Sequence, residues 1–184
     1  VGHRTGNTMR NLRLSAALAG LVAVYGLTTA PSTKASISDV EVTLGGSCQL
    51  SIPTTDTKFR PKATGARNES TTTGGFVICA LQRSASSGLF NDIALLAYSL
   101  DGVARNLSCT AVAGTFGAPA GYESMYSTKT ASISSTEGIN QGVEWTAADF
   151  GGSNGDPITR SLTVSITCNL PPQTAINYIV GTVP

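Results

Sequence analysis

The chain has 184 residues, with twelve Lys and Arg against eleven Asp and Glu and a single histidine, His3. A sequence with no imidazole after position 3 excludes Ser-His and Cys-His nucleophilic catalysis, histidine general bases and nearly all catalytic zinc sites. Four of the cations (Arg4, Arg10, Arg13, Lys34) and none of the acids precede residue 36, leaving eight cations against eleven acids, and this charge of −3 gives no footing for nucleic acid.

Taken from the N-terminus, Arg10 and Arg13 precede an uncharged run, Leu14 to Leu27, and small residues follow as far as Ala35. Cations, a short apolar core and a small-residue zone are the order of a secretory signal peptide. The run of 14 residues is shorter than the roughly 20 apolar residues of a membrane span. Residues 1–35 are therefore expected to be an export signal starting near Met9 behind an upstream extension. Cleavage is expected after Ala35, because Pro31 adjoins the alternative site at Ala30. Residues 36–184 then form one domain, secreted or periplasmic, with no membrane span.

Period-2 patterning runs through that domain. Val40, Val42 and Leu44 alternate with Asp39, Glu41 and Thr43; Phe76 to Leu81 and Ile93 to Tyr98 are continuous apolar runs, read as central strands covered on both faces. Leu107, Cys109 and Ala111 face one way, with Asn106, Ser108 and Thr110 the other. Val143, Trp145 and Ala147 repeat the pattern, as do Leu162, Val164, Ile166, Cys168 and Leu170, and finally Ile176, Tyr178 and Val180. Turn formers such as GGSC, TTTGG and FGGSNGDP separate these runs. No helical stripe appears, so the expected fold is an all-β antiparallel sandwich, jelly-roll-like or Ig-like, of about seven to nine short strands.

Cys48, Cys79, Cys109 and Cys168 form an even set without a CxxC pair, which in an exported domain predicts two disulfides rather than a zinc site. Cys109 and Cys168 both lie mid-strand on inward faces, which favours Cys109–Cys168 and leaves Cys48–Cys79.

Candidate sites are sparse. Asp149, Asn154 and Asp156 lie in a glycine-rich loop that offers oxygen ligands to Ca²⁺, the one cofactor the sequence suggests, although its spacing departs from an EF-hand and a plain turn explains it. Lys58, Arg60, Lys62 and Arg67 form a basic cluster suited to an anion or polysaccharide, with Asp56 and Glu69 partly neutralising it. Tyr122 and Tyr126 offer a sugar-stacking surface. Glu144 and Asp149 beside Trp145 raise a glycosidase or lyase, but strand geometry sets the two carboxylates on opposite faces. No catalytic residue is assigned.

The segments GGSCQL, GGFVICALQR, NLSCTAV and SITCNLPP, closed by NYIVGTV, resemble a group of small exported four-cysteine β-proteins of proteobacteria over residues 40–182. Ala80 stands where that pattern has proline. The resemblance supports the disulfide framework and brings no activity and no site residue with it. The functional expectation is a non-enzymatic exported β-domain that binds a surface ligand such as a glycan. The alternative is a self-associating subunit of an extracellular filament or coat, with Ser36 to Leu44 as a donated strand.

Overall fold

The alternating strands find their apolar partners in two facing antiparallel sheets. The computed structural model describes residues 39–52, 58–81, 83–84, 88–117, 119–120, 123–134 and 136–183. The expected export signal, Ser36 to Ser38, Asp56 and Tyr122 lie outside the described residues. Sheet A has six strands: β1 (Val40–Leu44), β3 (Phe59–Lys62), β4 (Gly65–Asn68), β6 (Asp92–Ser99), β9 (Gln141–Thr146) and β11 (Thr174–Thr182). Its order is β3-β4-β11-β6-β9, and β1 pairs with the later half of β11. Sheet B has five strands in the order β2-β5-β10-β7-β8. These are β2 (Gln49–Leu50), β5 (Gly75–Leu81), β7 (Arg105–Ala113), β8 (Met125–Ile133) and β10 (Val164–Leu170). The strand number exceeds expectation because short pieces such as β2, β3 and β4, of two to four residues, carry little periodic signal.

Helical structure among the described residues is confined to two 3-10 turns, Gly45–Ser47 and Ala147–Phe150, and no helix there is long and apolar enough to cross a membrane. Between the sheets lie Trp145, Phe90, Ile93, Leu95, Leu107, Ile166, Leu170 and Ile179, all fully buried. The inward set of β7 (Leu107, Cys109, Ala111) and that of β9 (Val143, Trp145) are buried as the alternation requires.

Both disulfides have the expected pairing, Cys48–Cys79 and Cys109–Cys168, with Cα separations of 4.3 and 4.0 Å. Each lies within sheet B rather than between the layers, Cys109–Cys168 joining β7 to β10 and Cys48, just ahead of β2, reaching β5. Cys109 stands in register with Cys168, whose partner on β5 is Val77; Cys79 stands opposite Ile166, one inward rung along. The two bridges thus occupy successive rungs of one inner face.

Four patterns depart from the sequence reading. Val40, Val42 and Leu44 point outward and are more than half exposed, because β1 flanks β11 where that strand's inward residues are Ile179 and Gly181. In β5, Phe76 and Ile78 are exposed, so the FVICAL run is covered on one face only. The alternation ahead of β10 fails: Ser161 is buried and its hydroxyl accepts the Phe90 amide hydrogen at 2.8 Å, while Leu162 is exposed. In β11 a register shift between Ile176 and Tyr178 inserts Asn177, so Ile176 faces the core but Tyr178 and Val180 face out. Gly45 and Gly65 sit against the Ile176 carbonyl at this bulge, where a Cβ on either would clash with backbone oxygen.

The N-terminal strand pairs within its own chain: Val40 to Leu44 run antiparallel to Thr182 to Tyr178. The part of the proposed donor segment that is described is therefore engaged in cis. All the described residues fall within one compact unit.

Candidate functional site

The outer face of sheet B is a grid set by register. Gln49, Ile78, Thr167, Thr110 and Thr128 line up across all five strands. Phe76, Asn169, Ser108 and Thr130 form the next row on one side; Ala80, Ser165, Val112 and Tyr126 form the row on the other. Neighbouring strands lie about 4.8 Å apart and successive rows about 6.8 Å apart. None of these thirteen side chains is charged. The face arises because the inward positions of β7 and β10 take the cysteines and most of the apolar bulk, leaving Ser, Thr and Asn at nearly all their alternate positions, while β5 contributes the apolar Phe76, Ile78 and Ala80.

Within the grid, the hydroxyls of Thr110 and Thr128 hydrogen-bond each other at 2.8 Å. Tyr126 and Phe76 are 64% and 56% exposed, at opposite corners. Beside β2 the face falls into a depression of about 420 Å³ lined by Ser47, Gln49, Leu50, Ser51, Ile78 and Ala80. Hydroxyl and amide groups both donate and accept, and the aromatic rings present apolar faces. A ligand settling here meets no charge that must be desolvated.

The basic cluster lies elsewhere, on the β3–β4 hairpin of sheet A. Arg60 stands directly opposite Arg67, and Lys62 opposite Gly65. Lys62 reaches Glu69 at 3.7 Å; Lys58 precedes the hairpin, its carbonyl accepting the Glu69 amide hydrogen. Tyr126 and the cluster therefore occupy opposite layers and do not share one site. Tyr122 lies outside the described residues.

The acidic loop is built as a turn. The Asp149 carboxylate caps the 3-10 turn through the Thr146 amide at 2.8 Å and holds Lys129 at 2.7 Å. Burial pushes its pKa up, but these hydrogen bonds outweigh burial and hold the carboxyl below its ordinary value. Asn154 and Asp156 are exposed, and the Asp156 amide closes a turn onto Ser153. Among the described residues no three His, Cys, Asp or Glu side chains gather into a metal-binding group. Glu144 is exposed on β9 while Asp149 serves the cap, and Trp145 is core, its indole donating to the Ser127 carbonyl at 3.1 Å.

Sequence reading missed Tyr98 and Tyr178, half-buried on the outer face of sheet A. Tyr98 sat in a run read as fully covered, and the bulge at Asn177 decides the direction of Tyr178.

No protein-family model and no curated protein matches the chain. Among solved structures, it is similar to a xylan-binding module, CBM15, at 14% identity, with 79% of this chain and 97% of that chain covered and a TM-score of 0.43. It is also similar to a family 11 carbohydrate-binding module from Clostridium thermocellum, solved with a β-1,3-1,4-mixed-linked tetrasaccharide, at 12% identity, with 79% and 86% covered and a TM-score of 0.36.

Proposed function

We propose that this is an exported, non-enzymatic domain that binds a neutral glycan across the outer face of sheet B. The observation that carries the reading is the uncharged thirteen-residue grid, hydroxyl-rich and with Tyr126 and Phe76 exposed at its corners. Sugars present hydroxyls at their edges and C–H groups on their faces, and such a surface answers both. Two disulfides with no free cysteine among the described residues fit an oxidising compartment, hence secretion or the periplasm.

The test is binding to a panel of neutral polysaccharides by affinity electrophoresis, with two surface variants. Tyr126→Ala removes an aromatic corner, and Thr128→Glu sets a charge in the middle row; each is expected to weaken binding about ten-fold or more, equivalent to about 1.4 kcal/mol. Absence of binding to every neutral polymer in the panel, or binding that ignores both substitutions, overturns the proposal.

A further inference from the structure

We propose that the outer face of sheet A carries a second ligand site, at Arg60, Arg67 and Tyr98, for the carboxylate-bearing rings of an acidic polysaccharide. The site lies on the layer opposite the hydroxyl grid and does not depend on it.

Charge distribution is the first observation. Of the eight cations after residue 35, four lie between Lys58 and Arg67, in a domain whose net charge is negative. Three of the others are matched by carboxylates: Arg105 by Asp101, Lys129 by Asp149 and Arg160 by Glu123. On the hairpin, two arginines are directly opposite in register across antiparallel strands, a like-charge pairing that is destabilising by itself. Arg60 donates to the Phe59 carbonyl at 3.0 Å and Arg67 to the Thr64 hydroxyl at 3.0 Å, both uncharged oxygens. The Nε of Arg67 is buried and has no acceptor. A planar anion lying between the two forks removes the repulsion and supplies acceptors.

The second observation identifies what the anion is attached to. Register extends the Arg60–Arg67 row to Ala175 and then Tyr98. Ala175, the short side chain between Arg67 and Tyr98 in this row, has no exposure. Tyr98, half-buried, thus stands two strand spacings, about 10 Å, from Arg67 with a filled floor between them. A bare inorganic anion uses the arginines only. A sugar ring bearing a carboxylate uses both ends, the ring against Tyr98 and the carboxylate on the guanidinium pair.

The experiment is calorimetric titration of the disulfide-bonded protein with a polyuronate, a neutral hexose polymer and inorganic phosphate. Polyuronate binding is expected to weaken about ten-fold or more in Arg67→Gln and in Tyr98→Ala. It should also weaken as ionic strength rises from about 0.01 to about 0.15 M, where the screening length falls from ~30 to ~8 Å. Tyr126→Ala, on the other layer, should leave it unchanged. Because Arg67 is partly buried, the exposed Arg60→Gln serves as the second variant, and near-ultraviolet circular dichroism confirms that each retains the fold. The proposal is overturned if polyuronate does not bind, if binding survives Arg60→Gln combined with Arg67→Gln, or if phosphate displaces the polymer and Tyr98→Ala has no effect. Loss of neutral-polymer binding alone would strike the sheet B reading and leave this one standing.

Discussion

The Lys129 ammonium on β8 lies 2.7 Å from the Asp149 carboxylate just after β9, so one ion pair ties the neighbouring edges of the two sheets. The same ammonium donates to the Glu144 carbonyl at 2.8 Å, and Trp145 returns a bond from β9 to Ser127 on β8. Because the Asp149 pKa is lowered in the folded state, its contribution is present above the ordinary carboxylate pKa and is lost as pH falls through the folded value. Asp101, lowered chiefly by its hydrogen bonds from the Arg105 fork at 2.6 Å, acts in the same direction. Thermal midpoints are therefore expected to fall as pH drops below about 4. Asp149→Asn should flatten part of that slope, which calorimetry across pH would reveal; an unchanged slope contradicts the assignment.

Asn68 is a buried polar link. Its Nδ2 lies 2.9 Å from the Thr73 carbonyl, 3.1 Å from that of Leu170 and 3.0 Å from that of Pro171, and its Oδ1 accepts the Ser70 amide hydrogen at 3.1 Å. Two amide hydrogens serve three carbonyls where β4 meets the end of β10. Asn68→Leu removes this shared amide donor, the Pro171 carbonyl keeping only the Thr174 hydroxyl at 2.6 Å, and is expected to lower stability by about 2–3 kcal/mol in urea titration.

The two disulfides close spans of 31 and 59 residues. Chain entropy assigns about 4 kcal/mol to each, the longer slightly more. Paired serine substitution at Cys109 and Cys168 is therefore expected to lower the unfolding free energy by up to about 4 kcal/mol, and that at Cys48 and Cys79 by a little less. Urea midpoints that match the parent protein would refute this.

Gly181, the penultimate residue of β11, carries no side chain where the Phe90 ring fills the space above it. A Cβ there would stand 2.5 Å from Phe90 Cδ1 and 2.9 Å from Leu81 Cδ2. Gly181→Ala should lower stability by about 1–3 kcal/mol through overpacking, with Phe90→Leu as the compensating partner in a double-mutant cycle.

The strict alternation around Cys109 and Cys168 made the inner face of sheet B, and with it the disulfide pairing, readable from residues alone. Trp145 was likewise recognisable as core. What failed depends on neighbours. Whether Val40, Val42 and Leu44 face in or out is decided by which rung of β11 they join, and Asn177 shifts that rung by one residue. Ser161 and Leu162 exchanged places because the Phe90 amide needed an acceptor inside. For the sites, the basic cluster was visible as composition, but the opposition of Arg60 and Arg67 follows from hairpin register. The hydroxyl grid was hidden because its members come from five segments, each an ordinary Ser/Thr strand face when read alone.

The placement of the cross-links has a mechanical result. Cys48–Cys79 encloses β3 and β4, and Cys109–Cys168 encloses β8 and β9, so β1, β6 and β11 lie outside both covalent rings. In sheet A, β11 pairs with both β1 and β6. Tension applied through the C-terminus would meet only ladder bonds until it reached Cys168, drawing out β11 and parting its neighbours. The ring-enclosed β3, β4 and β9 would stay behind with sheet B, so under load the protein should yield first through the centre of sheet A.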